Sequence, residues 1–200
     1  PGAIGPNYSL NPASTLDAGL YDCVVTGGCG SSTSGAGLLT VREWPTFSAQ
    51  PVSISRCAGE PASFSVSVRG FGPLTYQWRR GGFNIDGATS RVFDIASVGA
   101  GDVASYDCVV TGGCGSTTSN PSSLSLLTSP AITTQPTAAS GCTGGEVTLS
   151  IVATGDPAPT FQWRKGGSDI NGATGAGLTL SSLTSNDAAS YDCMVTNPCG

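Results

Sequence analysis

The chain repeats itself every 85 residues. Cys23, Cys108 and Cys193 keep that interval, as do Cys29, Cys114 and Cys199. Cys57 with Cys142, Trp78 with Trp163, and Tyr21, Tyr106 and Tyr191 keep it too. A fixed period of this length means tandem copies of one small domain. The ends fall out of phase with the copies: residue 1 aligns with 86 and 171, and residue 200 with 115 and 30. The expected organisation is 1–46 as the last part of one repeat, 47–128 as a complete repeat, and 129–200 as a repeat short of its last strand. Together they read as a window on a longer repeat polymer. The alternative, in which the N-terminal piece of one molecule completes the C-terminal domain of another, is disfavoured, because residues 1–30 duplicate 171–200 and would compete for one place.

A domain this small buries a thin core and benefits from covalent staples. The chain carries eight cysteines at regular places, which points to an oxidising, extracellular compartment, secreted or at the cell surface. A metal site is not expected, because there is no histidine, no C-x-x-C, and the closest pairs are six apart. Charged residues make up 10% of the chain, the net charge is −5, and there are eight Lys and Arg. No basic patch for nucleic acid or anionic lipid can be assembled from that. No apolar run approaches the ~20 residues that span a membrane. Ser, Thr and Gly interleave with Val, Leu, Phe and Tyr, which argues for strands rather than disorder.

The central copy reads as a series of short strands. Ala62, Phe64, Val66 and Val68 alternate with Ser63, Ser65 and Ser67, as in a half-buried strand. Gly70-Phe71-Gly72-Pro73 is a turn. Leu74, Tyr76 and Trp78 alternate along the next strand. Phe93, Ile95 and Val98 mark another, and Tyr106, Cys108 and Val110 share one face of a further one. Leu124 and Leu126 close the repeat. Short strands at this spacing predict an antiparallel sandwich, with no helix of any length.

The segment Asp102-Val-Ala-Ser-Tyr106-Asp-Cys108 resembles the D-x-A-x-Y-x-C signature of immunoglobulin domains, and Gln77-Trp78 resembles their buried strand C tryptophan. Gln162-Trp163, Asp187 to Cys193, and Asp17 to Cys23 repeat the pattern. The wording Y-Q-W-R-R-G-G and Y-D-C-V-V-T-G-G-C-G is similar to bacterial immunoglobulin-like repeats (I-set-like), which occur in arrays in large secreted and surface proteins. The resemblance implies tandem immunoglobulin-like β-sandwiches. In these, Trp78 and Trp163 fill cores, and Tyr21, Tyr106 and Tyr191 form tyrosine corners. Asp17, Asp102 and Asp187 are expected to cap turns at those corners.

The cysteines depart from the family pattern. The strand B position that ordinarily pairs with Cys108 or Cys193 holds Val66 or Ile151. A third cysteine, Cys57 or Cys142, lies nine residues earlier. Cys114 lies six residues beyond Cys108, up to about 20 Å away if extended, whereas a disulfide needs Cα atoms within about 7 Å. In the fold that the resemblance implies, the turn bearing Cys57 and the hairpin bearing Cys114 lie at opposite ends of a domain. One arrangement therefore pairs Cys57 with Cys199 across two repeats. It leaves Cys114 and Cys142 for neighbours outside 1–200, and Cys108 and Cys193 as buried thiols. The other pairs Cys57 with Cys108 and Cys142 with Cys193 inside each repeat, leaving Cys114 and Cys199 free or joining chains to each other. Cys23 and Cys29 hold the corresponding places in the first copy.

The junctions Val41-Arg-Glu-Trp-Pro-Thr-Phe47 and Leu127-Thr-Ser-Pro-Ala131 contain proline and no Gly/Ser run, so they read as short and stiff. Trp44, outside the repeat pattern, is expected to wedge between domains, because it sits at the junction itself; the alternative is an exposed contact for another chain. No catalytic constellation is visible: histidine is absent, Lys165 is the lone lysine, and the Gly-Gly pairs read as hairpin turns rather than phosphate loops. No enzyme activity, cofactor or small-molecule ligand is expected. The function that fits is a structural stalk or fibre whose partners are other copies or neighbouring repeats. The alternatives are an adhesion or ligand-binding module, and an accessory segment of a large secreted enzyme. Against adhesion, Val-Thr-Gly-Gly-Cys-Gly-Ser is identical at 25–31 and 110–116, where a recognition loop would vary and carry aromatics or arginine.

Overall fold

The computed structural model describes residues 3–200. The first copy contributes a 3-10 turn (Thr15–Asp17) and the strands β1 (Gly19–Tyr21), β2 (Val24–Gly27), β3 (Gly30–Thr33) and β4 (Gly37–Leu39). β2 and β3 form a tight hairpin with Gly27 opposite Gly30, and β1 pairs with β4. Among the described residues no second layer packs against them, and Leu20, Val24, Val25 and Leu38 are exposed.

The central copy runs β5 (Thr46–Ala49), β6 (Ile54–Arg56), β7 (Ala62–Ser65), β8 (Ser67–Arg69), β9 (Thr75–Arg80), β10 (Phe83–Asn84), β11 (Val92–Ile95), β12 (Ala104–Gly112), β13 (Gly115–Thr118) and β14 (Ser122–Leu126). One sheet has the order β10-β9-β12-β14-β6, with β13 also on β12. All its pairs are antiparallel except β14 with β6, which run parallel. The other layer pairs β7 with β11 and β5 with β8.

The alternation in sequence decides which faces meet. Ala62, Phe64 and Val66 from one layer and Trp78, Tyr106, Cys108, Val110 and Leu124 from the other are buried together. Phe64 stacks on Tyr106 with ring centroids 4.8 Å apart, and Trp78 lies between Phe64 and Phe93, 6.1 Å from each. Each large side chain removed from water contributes about 1.5–3 kcal/mol. The sequence predicts one strand over 62–68, but the ladder changes partner within it. β7 leaves β11 after Ser65, the Val66 amide donates to Arg91 O, and β8 pairs with β5. The period of two runs through the break, so side-chain pattern alone does not reveal it.

The third copy repeats the arrangement with β15 (Thr128–Thr134), β16 (Glu146–Ser150), β17 (Val152–Asp156), β18 (Thr160–Lys165), β19 (Ser168–Asp169), β20 (Gly177–Ser181) and β21 (Tyr191–Thr196). β18 joins β19 and β21, β16 pairs with β20, and β15 with β17. Its core is thinner. Leu149 and Leu178 stand where the central copy has Phe64 and Phe93, and the buried cluster is Ile151, Trp163 and Leu178. No helix among the described residues is long and apolar enough to cross a membrane.

Candidate functional site

The strongest chemical feature lies where the central and third copies meet. Cys57 follows β6 in a turn closed by the Glu60 amide donating to Cys57 O. The Glu60 carboxylate in turn accepts the Cys57 N–H at 2.9 Å. Gly59 N donates to Val98 O and Val98 N to Glu60 O, so the turn is anchored to the loop after β11. Cys199 sits in the turn after β21, where Asn197 and Gly200 exchange backbone hydrogen bonds and Asn197 Oδ1 accepts the Cys199 N–H at 2.8 Å.

These two turns face each other, and Cys57 and Cys199 form a disulfide with Cα atoms 5.4 Å apart, 142 residues apart in sequence. The connecting peptide is held on both sides. Leu127 N donates to Arg56 O, beside Cys57. Asn197 Nδ2 donates to Thr128 O and Pro157 O, and Ser129 Oγ donates to Cys199 O. Ser129 and Asn197 are not singled out by the sequence reading. Asn197 did leave a signal: with Pro198 it replaces the Gly-Gly that the other copies carry at 27–28 and 112–113, and its side chain binds the linker.

The within-repeat pairs Cys57–Cys108 and Cys142–Cys193 are not formed. Among the described residues, Cys23, Cys29, Cys108, Cys114, Cys142 and Cys193 are free. Cys108 is buried opposite Trp78, and burial pushes its thiol up to about 11. Cys193 is partly buried and its thiol is raised for the same reason. Cys114 is half-buried at the hairpin between β12 and β13, while Cys142, Cys23 and Cys29 are exposed.

Trp78 and Trp163 are fully buried, and their indole N–H groups donate to Ser90 O and Gly175 O at 3.0 Å. The hydroxyls of Tyr21, Tyr106 and Tyr191 donate to Asp17 O, Asp102 O and Asp187 O at 2.6, 2.7 and 3.0 Å. The carboxylates of Asp17, Asp102 and Asp187 accept backbone N–H groups three residues upstream. Those hydrogen bonds hold Asp17 and Asp187 below the ordinary aspartate value.

Trp44 is 61% exposed. Its ring lies against Gly115, next to Cys114, so closely that a Cβ at Gly115 would meet it at 2.5 Å. Gly115 also has φ +129, so the hairpin under the ring requires glycine twice over. Beside it, the Arg42 guanidinium lies 3.5 Å from the centre of the Phe71 ring. Among the described residues, no group of three His, Cys, Asp or Glu side chains is placed to hold a metal ion.

Residues 129–197 match the family described as immunoglobulin domain. Roundabout homolog 1 of Mus musculus is 28% identical over 203 residues, which cover 92% of this chain and 12% of that protein. Roundabout homolog 3 of Homo sapiens is 30% identical over 161 residues (77% and 11%), and human Hemicentin-1 is 27% identical over 207 residues (96% and 4%). The chain thus spans only a small part of these relatives. Among solved structures, the titin I-band fragment I67–I69 superposes with a TM-score of 0.68 at 20% identity, covering 79% of this chain and 62% of that one. Sidekick-1 immunoglobulin domains 1–5 give 0.60 at 20% identity, covering 93% and 45%. These curated relatives are mouse and human proteins, so the likeness holds at the level of the immunoglobulin-like domain rather than of bacterial repeats. With an 85-residue period, an all-β fold and this match, the chain is a tandem of immunoglobulin-like β-sandwiches.

Proposed function

We propose that this chain is a structural segment of an extracellular stalk or fibre, without catalysis or cofactor, whose partners are repeats of its own kind. In this reading the repeats are 47–128 and 129–200, preceded by the last part of another in 1–46, in the manner of the bacterial surface arrays that the repeat wording resembles. The observation that carries it is the Cys57–Cys199 bond between consecutive repeats. Two domains joined by one peptide turn about it. Two domains joined at two separate points lose most of that freedom, and here the peptide itself is also hydrogen-bonded by Asn197 and Ser129. Such a bond persists only in an oxidising compartment. The small hairpins at 25–31 and 110–116, identical in sequence, suit a spacer better than a recognition surface.

Small-angle X-ray scattering on the chain, oxidised and then reduced, tests this. The oxidised chain is expected to scatter as one elongated rod of fixed length, and reduction or Cys57→Ser to broaden the distance distribution. An identical distribution in both states would overturn the reading, because the bond would then contribute no stiffness.

A further inference from the structure

The linkers that enter the central and third copies are laid on those copies by different chemistry. Trp44 and Pro45 hold the places of Ser129 and Pro130, and Gly112 that of Asn197, each 85 residues apart. At the third copy the contacts are polar. Asn197 Nδ2 donates to Thr128 O in the linker and to Pro157 O in the turn before β18, and Ser129 Oγ donates to Cys199 O. At the central copy Gly112 has no side chain to make such bonds. There the Gly113 amide donates to Phe71 O at 2.8 Å, so the hairpin at 112–115 and the turn at 70–73 form one platform.

Glycines leave room for the linker on that platform. A Cβ at Gly70 would stand 3.1 Å from Pro45 Cα, one at Gly112 would stand 3.1 Å from Pro45 Cγ, and one at Gly115 would meet the Trp44 ring at 2.5 Å. Pro45 is buried, although it stands outside any strand. Arg42 reaches over the Phe71 ring of the same platform, a contact that favours the seated linker by about two- to fivefold at an exposed site. An asparagine at 112 would run into Leu74, whose Cδ2 stands 2.9 Å from that Cβ; the third copy has Pro159 in place of Leu74. The two hairpins are therefore built for different linkers.

We propose that Arg42, Trp44 and Pro45 lock onto the turn at 70–73 and the hairpin at 112–115 as a seat that fixes the direction in which the chain enters the central copy, whatever the redox state of the thiols. The contacts that make it are apolar and cation–π, and none of them is made by a sulfur atom. They replace the hydrogen bonds that Asn197 and Ser129 supply at the next junction. The use of the seat, to hold consecutive repeats in line, rests on the stalk reading above.

Trypsin cleavage after Arg42, timed on the full chain with and without dithiothreitol, tests the seat. Trp44→Ser, which installs the residue of the third copy, and Phe71→Ala should each speed this cleavage by about three- to tenfold, because proteolysis follows the unseated population. Dithiothreitol should leave the wild-type rate unchanged. Cleavage after Arg79, within β9, should stay slow in every variant and reports that the sandwich is intact. Trp78 and Trp163 are fully buried, so acrylamide quenching of the native chain reads Trp44, and Gly115→Ala should raise it by lifting the ring. A rate after Arg42 that neither Trp44→Ser nor Phe71→Ala changes, or a wild-type rate that rises severalfold on reduction, would overturn the proposal. The stalk reading is judged separately, by the scattering change on reduction, which the Cys57–Cys199 bond governs and the seat does not.

Discussion

Cys108 shows how one position can hold the chemistry of a thiol and the duties of a small apolar side chain. It packs opposite Trp78 with no partner on the facing strand, because Val66 stands where the second cysteine of the family pattern would be. With its pKa pushed up to about 11 by burial, almost none of it is thiolate at pH 8. Alkylation of the native chain followed by mass spectrometry should label Cys142, Cys29 and Cys23 readily and leave Cys108 unmodified until the chain unfolds. The raised pKa also fixes the sign of a pH effect. Above the ordinary thiol value the unfolded chain loses this proton and the folded chain keeps it. Stability should therefore fall between about pH 9 and 11, by roughly 2–3 kcal/mol over the full interval. Urea midpoints of wild type and Cys108→Ala across that range check this: the variant should lose less.

The strands of the central and third copies follow one template with different fillings. Phe64, Phe93 and Tyr106 surround Trp78 in one, whereas Leu149 and Leu178 pack against Trp163 in the other. Less apolar area leaves the third copy with the smaller margin, out of the 5–15 kcal/mol usual for a domain. Trp163→Ala should cost about 3–5 kcal/mol and unfold the third copy first. Hydrogen exchange should then show the amides of β18 and β21 opening while β9 and β12 stay protected. The core positions could be read in the sequence, because alternation and an 85-residue echo mark Trp78, Tyr106 and Val110 independently. One feature could not. The ladder switch at Val66 leaves the period of two intact. It depends on which neighbour is hydrogen-bonded, which side-chain polarity does not encode.

For the whole molecule, the period gave the number of copies and the phase of the ends, but it left Cys57 with two possible partners. That choice depends on how the end of one sandwich meets the next, and the residues that bind the linker there, Ser129 and Asn197, carry no motif. The Cys57–Cys199 bond has a mechanical consequence. A pull on the chain from before residue 57 to beyond residue 199 passes through one pair of sulfurs, and the 142-residue span they close carries no load. Stretched out, that span would add about 500 Å of length. In a single-molecule pulling experiment the oxidised chain should withhold this extension, and a reductant should release it. The bond would then shield the span from Cys57 to Cys199 from tension, while β5 and β6, which lie before Cys57, stay on the loaded path.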